Sequence, residues 1–257
     1  MKKKVDVSKA KRGAPVPAKG GARKGTVVVS EPRPLQLKPL VEFLSGLEQN
    51  NNRPWFAWNK SAYDLLREEF EALVGDLIGR VAKFDRVIGP VDPKKAMFRI
   101  YRDTRFHKDR APYKTNFSAA IRERAKRGLE PGYYFEIDHK GILLAGGGIY
   151  NPDPAILMRI RRYIATKPGA LTRALNHPRF AKTYGGMMDE DALARPPKGF
   201  AADTPHIDAI KQRHYFGLVE VDLMKRPPKD LAKNIAGYFE DLLPFMQWLR
   251  KAAAETP

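Results

Sequence analysis

Apolar residues recur along this chain with two periods, and the change from one to the other outlines the fold. From Pro39, Leu40, Phe43, Leu44 and Leu47 fall on one stripe at steps of three and four, which predicts a helix that stops in the run Asn50-Asn51-Asn52. A second helix follows, with Leu66, Phe70, Leu73, Leu77, Val81 and Phe84 on one face and Ser61 and Asp64 spaced like a capping box at its start. Pro54, Trp55, Phe56 and Trp58 form an aromatic junction between the two. Over Met97–Tyr150 the pattern turns to short aromatic and β-branched runs, Met97–Tyr101, Asn116–Ile121, Gly132–Asp138 and Ile142–Ile149, which predict a meander of strands. Asp153 then reads as an N-cap with Pro154 in the first turn, and Ile156, Ile160, Tyr163 and Ile164 supply a buried stripe. Short helical pieces across 171–202 and at Pro205–Lys211 precede a late strand, His214–Val221, and a long helix from about Lys229 to Ala254 containing Pro244.

Helices, then strands, then helices with one late strand predict an α+β fold: a mostly antiparallel sheet (strands at about 97–150 and 214–221) flanked by N-terminal, middle and C-terminal helices. The 257 residues divide into a disordered basic arm, 1–30, and a single α+β domain, 31–257. In residues 1–25 nine Lys and Arg face one acid, Asp6, with almost nothing apolar to bury. The whole chain carries 47 Lys+Arg against 29 Asp+Glu, a formal net charge of +18, so a basic domain remains without the arm.

No cysteine is present, which excludes disulfides, thiolate metal sites and a cysteine nucleophile. The five histidines, His107, His139, His177, His206 and His214, show no metal-binding spacing, and no nucleophile-elbow sequence occurs. Neither a metal nor a cofactor is expected. No window approaches the roughly 18 apolar residues of a membrane span and no apolar leader is visible, so a cytoplasmic protein without a membrane partner is the default.

Candidate chemistry concentrates in Phe98–Phe117. On a strand, Phe98 and Ile100 point one way while Arg99, Tyr101 and Asp103 point the other. Arg102, Arg105, Lys108, Arg110 and Lys114 follow on a loop stiffened by Pro112, close to Tyr113. Forked guanidinium donors beside phenols suit phosphate or carboxylate. Tyr134, facing away from Tyr133 and Phe135 across its strand, offers a ring for stacking. The candidate ligand-binding set is therefore Arg99, Tyr101, Arg102, Asp103, Arg105, Lys108, Tyr113, Lys114 and Tyr134. Gly146-Gly147-Gly148 matches no phosphate-loop pattern and reads instead as a bulge or a close backbone approach.

Three readings stay open: a binding protein for an anionic ligand, nucleic acid or nucleotide; an enzyme acting on a phosphorylated or carboxylated small molecule; and an interaction protein whose Arg/Asp/Tyr segment is purely structural. A deep enclosed pocket at Arg99, Tyr101 and Asp103 favours the enzyme, a flat positive surface favours nucleic acid, and bidentate Arg–Asp pairs with no free donors favour the structural role.

The runs Asn50-Asn51-Asn52-Arg53-Pro54-Trp55-Phe56, Phe98–Phe106, Pro112-Tyr113-Lys114-Thr115, Gly132-Tyr133-Tyr134, Gly146-Gly147-Gly148 and Leu193–Phe200 resemble the signatures of a family known as domain of unknown function 2461. The resemblance spans about Pro39 to Arg250 in one order. It implies a single full-length domain in conserved hypothetical bacterial and fungal proteins, and it carries over no catalytic residue.

Overall fold

The computed structural model describes residues 33–103, 111–122 and 130–255. Leu37–Gln49 forms α1, Arg53–Trp58 α2, Lys60–Phe84 α3 and Pro93–Ala96 α4. Asn116–Ile121 (β1), Gly132–Asp138 (β2) and Ile142–Ile149 (β3) follow. Next come Pro154–Thr166 (α5), Pro168–Leu175 (α6), Pro178–Tyr184 (α7), Ile207–Lys211 (α8), Tyr215–Asp222 (β4) and Leu231–Ala254 (α9). The four strands make one antiparallel sheet in the order β1-β2-β3-β4, and the fold is α+β. No described helix is long and apolar enough to cross a membrane.

Strand alternation assigns each face of this sheet its own environment. Phe117, Ala119 and Ile121 of β1, Tyr133, Phe135 and Ile137 of β2, and Leu143 and Ala145 of β3 are buried in the core beneath α3 and α9. The opposite face carries Asn116 and Ser118, then Tyr134 and Glu136, then Gly148, Gly146 and Leu144, then Phe216 and Leu218. The helix stripes fall on the core side: Leu40, Phe43, Leu44 and Leu47 of α1 and Phe70, Leu77 and Val81 of α3 are all buried.

Three local expectations change. The helix α3 begins at Lys60, after Asn59, so Ser61 lies inside its first turn rather than capping it. The aromatic junction is itself a helix, α2, started by the Asn52 side chain accepting from the Trp55 N–H at 3.0 Å with Pro54 in its first turn. Met97–Tyr101 is an interrupted edge rather than a continuous strand. It makes two isolated bridges, Met97 to Ala119 and Tyr101 to Tyr113. Between them it advances four residues while its partner advances six, a slip that bulges the partner and breaks the ladder. The Asp153 cap is as expected, its side chain accepting from the Ala155 N–H at 2.9 Å.

A bidentate pair ties α9 to the end of α3, and a tyrosine of β2 joins it. Arg250 of α9 donates to both oxygens of buried Asp85, at 3.0 and 2.6 Å, and Tyr133 donates to the same carboxylate at 2.7 Å. Burial, then the Asp85 carboxylate, push the Tyr133 pKa upward. Burial likewise raises Tyr134, Tyr184 and Tyr215. All four are held neutral in the fold but ionise near 10 once unfolded. Their contribution is therefore complete below pH 10 and is lost as pH rises above it. Chemical denaturation should show stability level to about pH 9 and then falling by up to roughly 5 kcal/mol per pH unit, about 1.4 for each tyrosine. Unchanged stability at pH 11 would contradict this burial.

Candidate functional site

The interrupted edge at 97–103 separates two hollows. On the α3 side, a cleft of about 580 Å³ is lined by Arg67, Lys94, Lys95 and Arg99 among others. On the open face of the sheet, a broad groove of about 1080 Å³ runs past Arg99, Tyr101, Arg102, Asp103, Lys114 and Tyr134. Arg99 and Tyr101 line both, so one basic belt crosses the ridge between them.

Local sequence accounts for the placement of each side chain. Ile100 is buried and anchors the ridge, so its neighbours Arg99 and Tyr101 are turned outward. Backbone bonds from the Lys114 N–H to the Ile100 carbonyl, at 2.8 Å, and from the Arg102 N–H to the Pro112 carbonyl, at 2.9 Å, hold the ridge against the following segment. The Asn51 side chain then locks that segment to the α1–α2 turn. It donates to the Tyr113 carbonyl at 3.1 Å and accepts from the Tyr113 N–H at 3.0 Å, imitating a strand pair with one side chain.

The anticipated residues separate into groups. Arg99, Tyr101, Arg102, Asp103, Lys114 and Tyr134 converge on the groove. Arg99 and Arg102 are exposed, with no ion pair or side-chain hydrogen bond among the described residues. Asp103 is engaged, and the Lys114 ammonium sits 5.1 Å from the centre of the Phe98 ring. Tyr101 is half exposed, its ring 5.6 Å from Phe56 and 5.4 Å from Tyr113. Tyr113 itself stands back from the groove: only 5% exposed, it stacks on Phe56 with centroids 4.1 Å apart and supports Tyr101 from the core. Arg105 and Lys108 lie outside the described residues.

Tyr134 stands in a small polar relay. Its hydroxyl donates to Glu136, which also accepts from the Asn116 amide at 2.6 Å. Burial first, and Glu136 second, raise the Tyr134 pKa, with the Ser118 hydroxyl acting the other way. The phenol is accordingly neutral at any ordinary pH. It supplies a ring and a hydrogen bond rather than a base.

Sequence reasoning missed an adjoining cavity of about 490 Å³ on the same sheet face, where Phe98, Tyr134, Glu130, Phe216, Leu218 and His214 meet. They come from three separate stretches of the chain, and the pairing of β2 and of β4 with the two edges of β3 brings Tyr134 close to Phe216 and Leu218. One signal was available: Phe216 and Leu218 alternate with Tyr215, Gly217 and Val219, so β4 is apolar on both faces, as expected where both are covered. No cluster of His, Asp or Glu able to hold a metal ion occurs among the described residues.

No curated protein and no solved structure matches the chain. The sequence profile of one family, described as "Conserved hypothetical protein (DUF2461)", matches residues 39–248. That span contains the Asn51–Tyr113 lock, the ridge at 97–103 and the glycine strand that floors the cavity. The chain belongs to the DUF2461 family.

Proposed function

We propose that this protein binds a phosphate-bearing ligand, a nucleic acid strand or nucleotide, along the groove crossed by the 97–103 ridge. The observation that carries the reading is the pair of exposed guanidinium groups, Arg99 and Arg102, which have no ion-pair partner among the described residues, in a groove also lined by Lys114, Asp103 and Glu136. Neighbouring guanidinium groups that are not ion-paired repel one another, and an external polyanion relieves that repulsion. The half-exposed Tyr101 ring beside them offers a stacking face for a base. Because the groove is open and continues over the ridge into the cleft bearing Arg67 and Lys95, an extended strand suits it better than an enclosed small molecule.

Fluorescence anisotropy with a labelled single-stranded oligonucleotide tests the reading. Arg99→Ala/Arg102→Ala should weaken binding by about tenfold or more, since charge-assisted bonds contribute about 1.5–3 kcal/mol each. Both residues are exposed, so the melting temperature should move by less than about 2 °C. Equal affinity in wild type and variant would refute the groove.

A further inference from the structure

The cavity beside the groove has features that an open polyanion site does not require. Aromatic rings line it beside Arg122 and Glu190: Phe98 and Tyr134 meet edge-on with centroids 6.0 Å apart, and Tyr134 meets Phe216 at 6.5 Å. Gly148 of β3 lines it as well. One carboxylate oxygen of Glu130 is shut off from solvent and has no hydrogen-bond partner. An acceptor buried in that way is costly unless a donor arrives, and a carboxylate presents two oxygens in one plane.

The mouth is built to hold a flat ring in place. His214 stacks on Tyr150 with centroids 4.3 Å apart. Its Nδ1 accepts from the Asn151 N–H at 2.9 Å, which leaves the ring proton on Nε2, 3.7 Å from an Asp191 carboxylate oxygen. Asn151 and Asp191 both have left-handed backbone, φ 51° and 61°, so conformational strain gathers around this histidine.

We propose that the cavity takes a guanine-type base, a planar ring whose adjacent N–H donors meet the Glu130 carboxylate while its faces lie among Phe98, Tyr134 and Phe216. The volume of about 490 Å³ accommodates a nucleoside. Phe98 and Tyr134 line both hollows, so a base seated here belongs to a nucleotide whose phosphate is met by the cations of the groove. In that respect the inference rests on the proposed function. The chemistry is selective because a carboxylate can accept from the paired donors of guanine, whereas adenine sets an acceptor beside its single amino group.

Isothermal titration of the full chain with guanosine monophosphate, adenosine monophosphate, guanosine and inorganic phosphate separates the two ideas. Guanosine monophosphate should bind about tenfold or more tightly than adenosine monophosphate, and guanosine alone should bind measurably. Glu130→Gln should abolish the preference and leave phosphate affinity unchanged, because glutamine replaces one acceptor by a donor. Leu218→Trp, which fills the cavity, should remove guanosine binding and again spare phosphate. If Glu130→Gln does not fold, the wild-type preference and Leu218→Trp decide the matter. Equal affinity for the two monophosphates, absent guanosine binding, or a preference that survives Glu130→Gln would overturn the base site. Phosphate binding with no nucleoside binding would do so while leaving the groove intact. Guanosine binding as tight as that of its monophosphate would leave the cavity standing and overturn the groove.

Discussion

Asp85→Asn is expected to destabilise the protein by about 3 kcal/mol or more, a drop of about 6–12 °C in melting temperature for a chain of this size. Asp85 is 3% exposed and accepts from both Arg250 nitrogens and from Tyr133. Asparagine keeps the shape but removes the charge and turns one acceptor into a donor that faces Arg250. The guanidinium, its side chain 19% exposed, is then left without compensation in the core. Adding Arg250→Met should restore much of the loss, since removing both charges also removes both desolvation costs. A single variant that melts within 2 °C of wild type, or a double variant no better than the single, would show that the pair does not hold α9 to the end of α3.

Gly148→Ala should be worse, costing more than about 4 kcal/mol and leaving little soluble protein. A Cβ at that position would stand 2.0 Å from the Tyr215 carbonyl oxygen, on a backbone with φ of +144° that side chains rarely adopt. Its neighbour Gly146 would place a Cβ 1.9 Å from the Gly217 carbonyl oxygen. Both contacts are with β4 backbone and cannot be relieved by a rotamer change, so β3 and β4 would have to part. Gly237→Ala is the control. Nothing lies within 4 Å of a Cβ there, and in the exposed interior of α9 alanine should stabilise by about 0.5–1 kcal/mol. Differential scanning calorimetry of the two variants reads both signs. Normal melting of Gly148→Ala would contradict the close approach of these strands.

Those glycines illustrate what was legible in the sequence. Close backbone approach follows from a glycine run inside a strand pattern, whereas the particular carbonyls approached depend on a pairing between segments nearly 70 residues apart. The bodies of α1, α3, α5 and α9 were readable because their apolar stripes face a single core. The start of α3 was not, because Ser61 and Asp64 fit a capping pattern while α2 carries the chain straight into helix at Lys60. Met97–Tyr101 has strand alternation, yet alternation reports only which side chains face inward. It is silent on whether a partner keeps step, and here a two-residue slip interrupts the ladder.

The layout of the candidate site was legible to the same degree. Arg99, Arg102, Tyr101 and Lys114 were anticipated together because they are near neighbours in sequence. Tyr113 stands apart from them: proximity in sequence placed it with the arginines, while Phe56 and Asn51, some 60 residues away, draw it into the core. The cavity at Glu130 and His214 is assembled from distant segments, and its one local signal is the run of apolar residues on both faces of β4.

The most direct test of the groove is the salt dependence of oligonucleotide binding by the full chain and by its Arg99→Ala/Arg102→Ala variant. Each neutralised phosphate on a single strand releases counterion and contributes about 0.7 to the slope of log K against log salt. If Arg99 and Arg102 each meet a phosphate, the variant's slope should be shallower by about 1.4, beyond whatever the other cations of the chain contribute. Parallel slopes for the two proteins, or no binding by the wild type at low salt, would contradict the account.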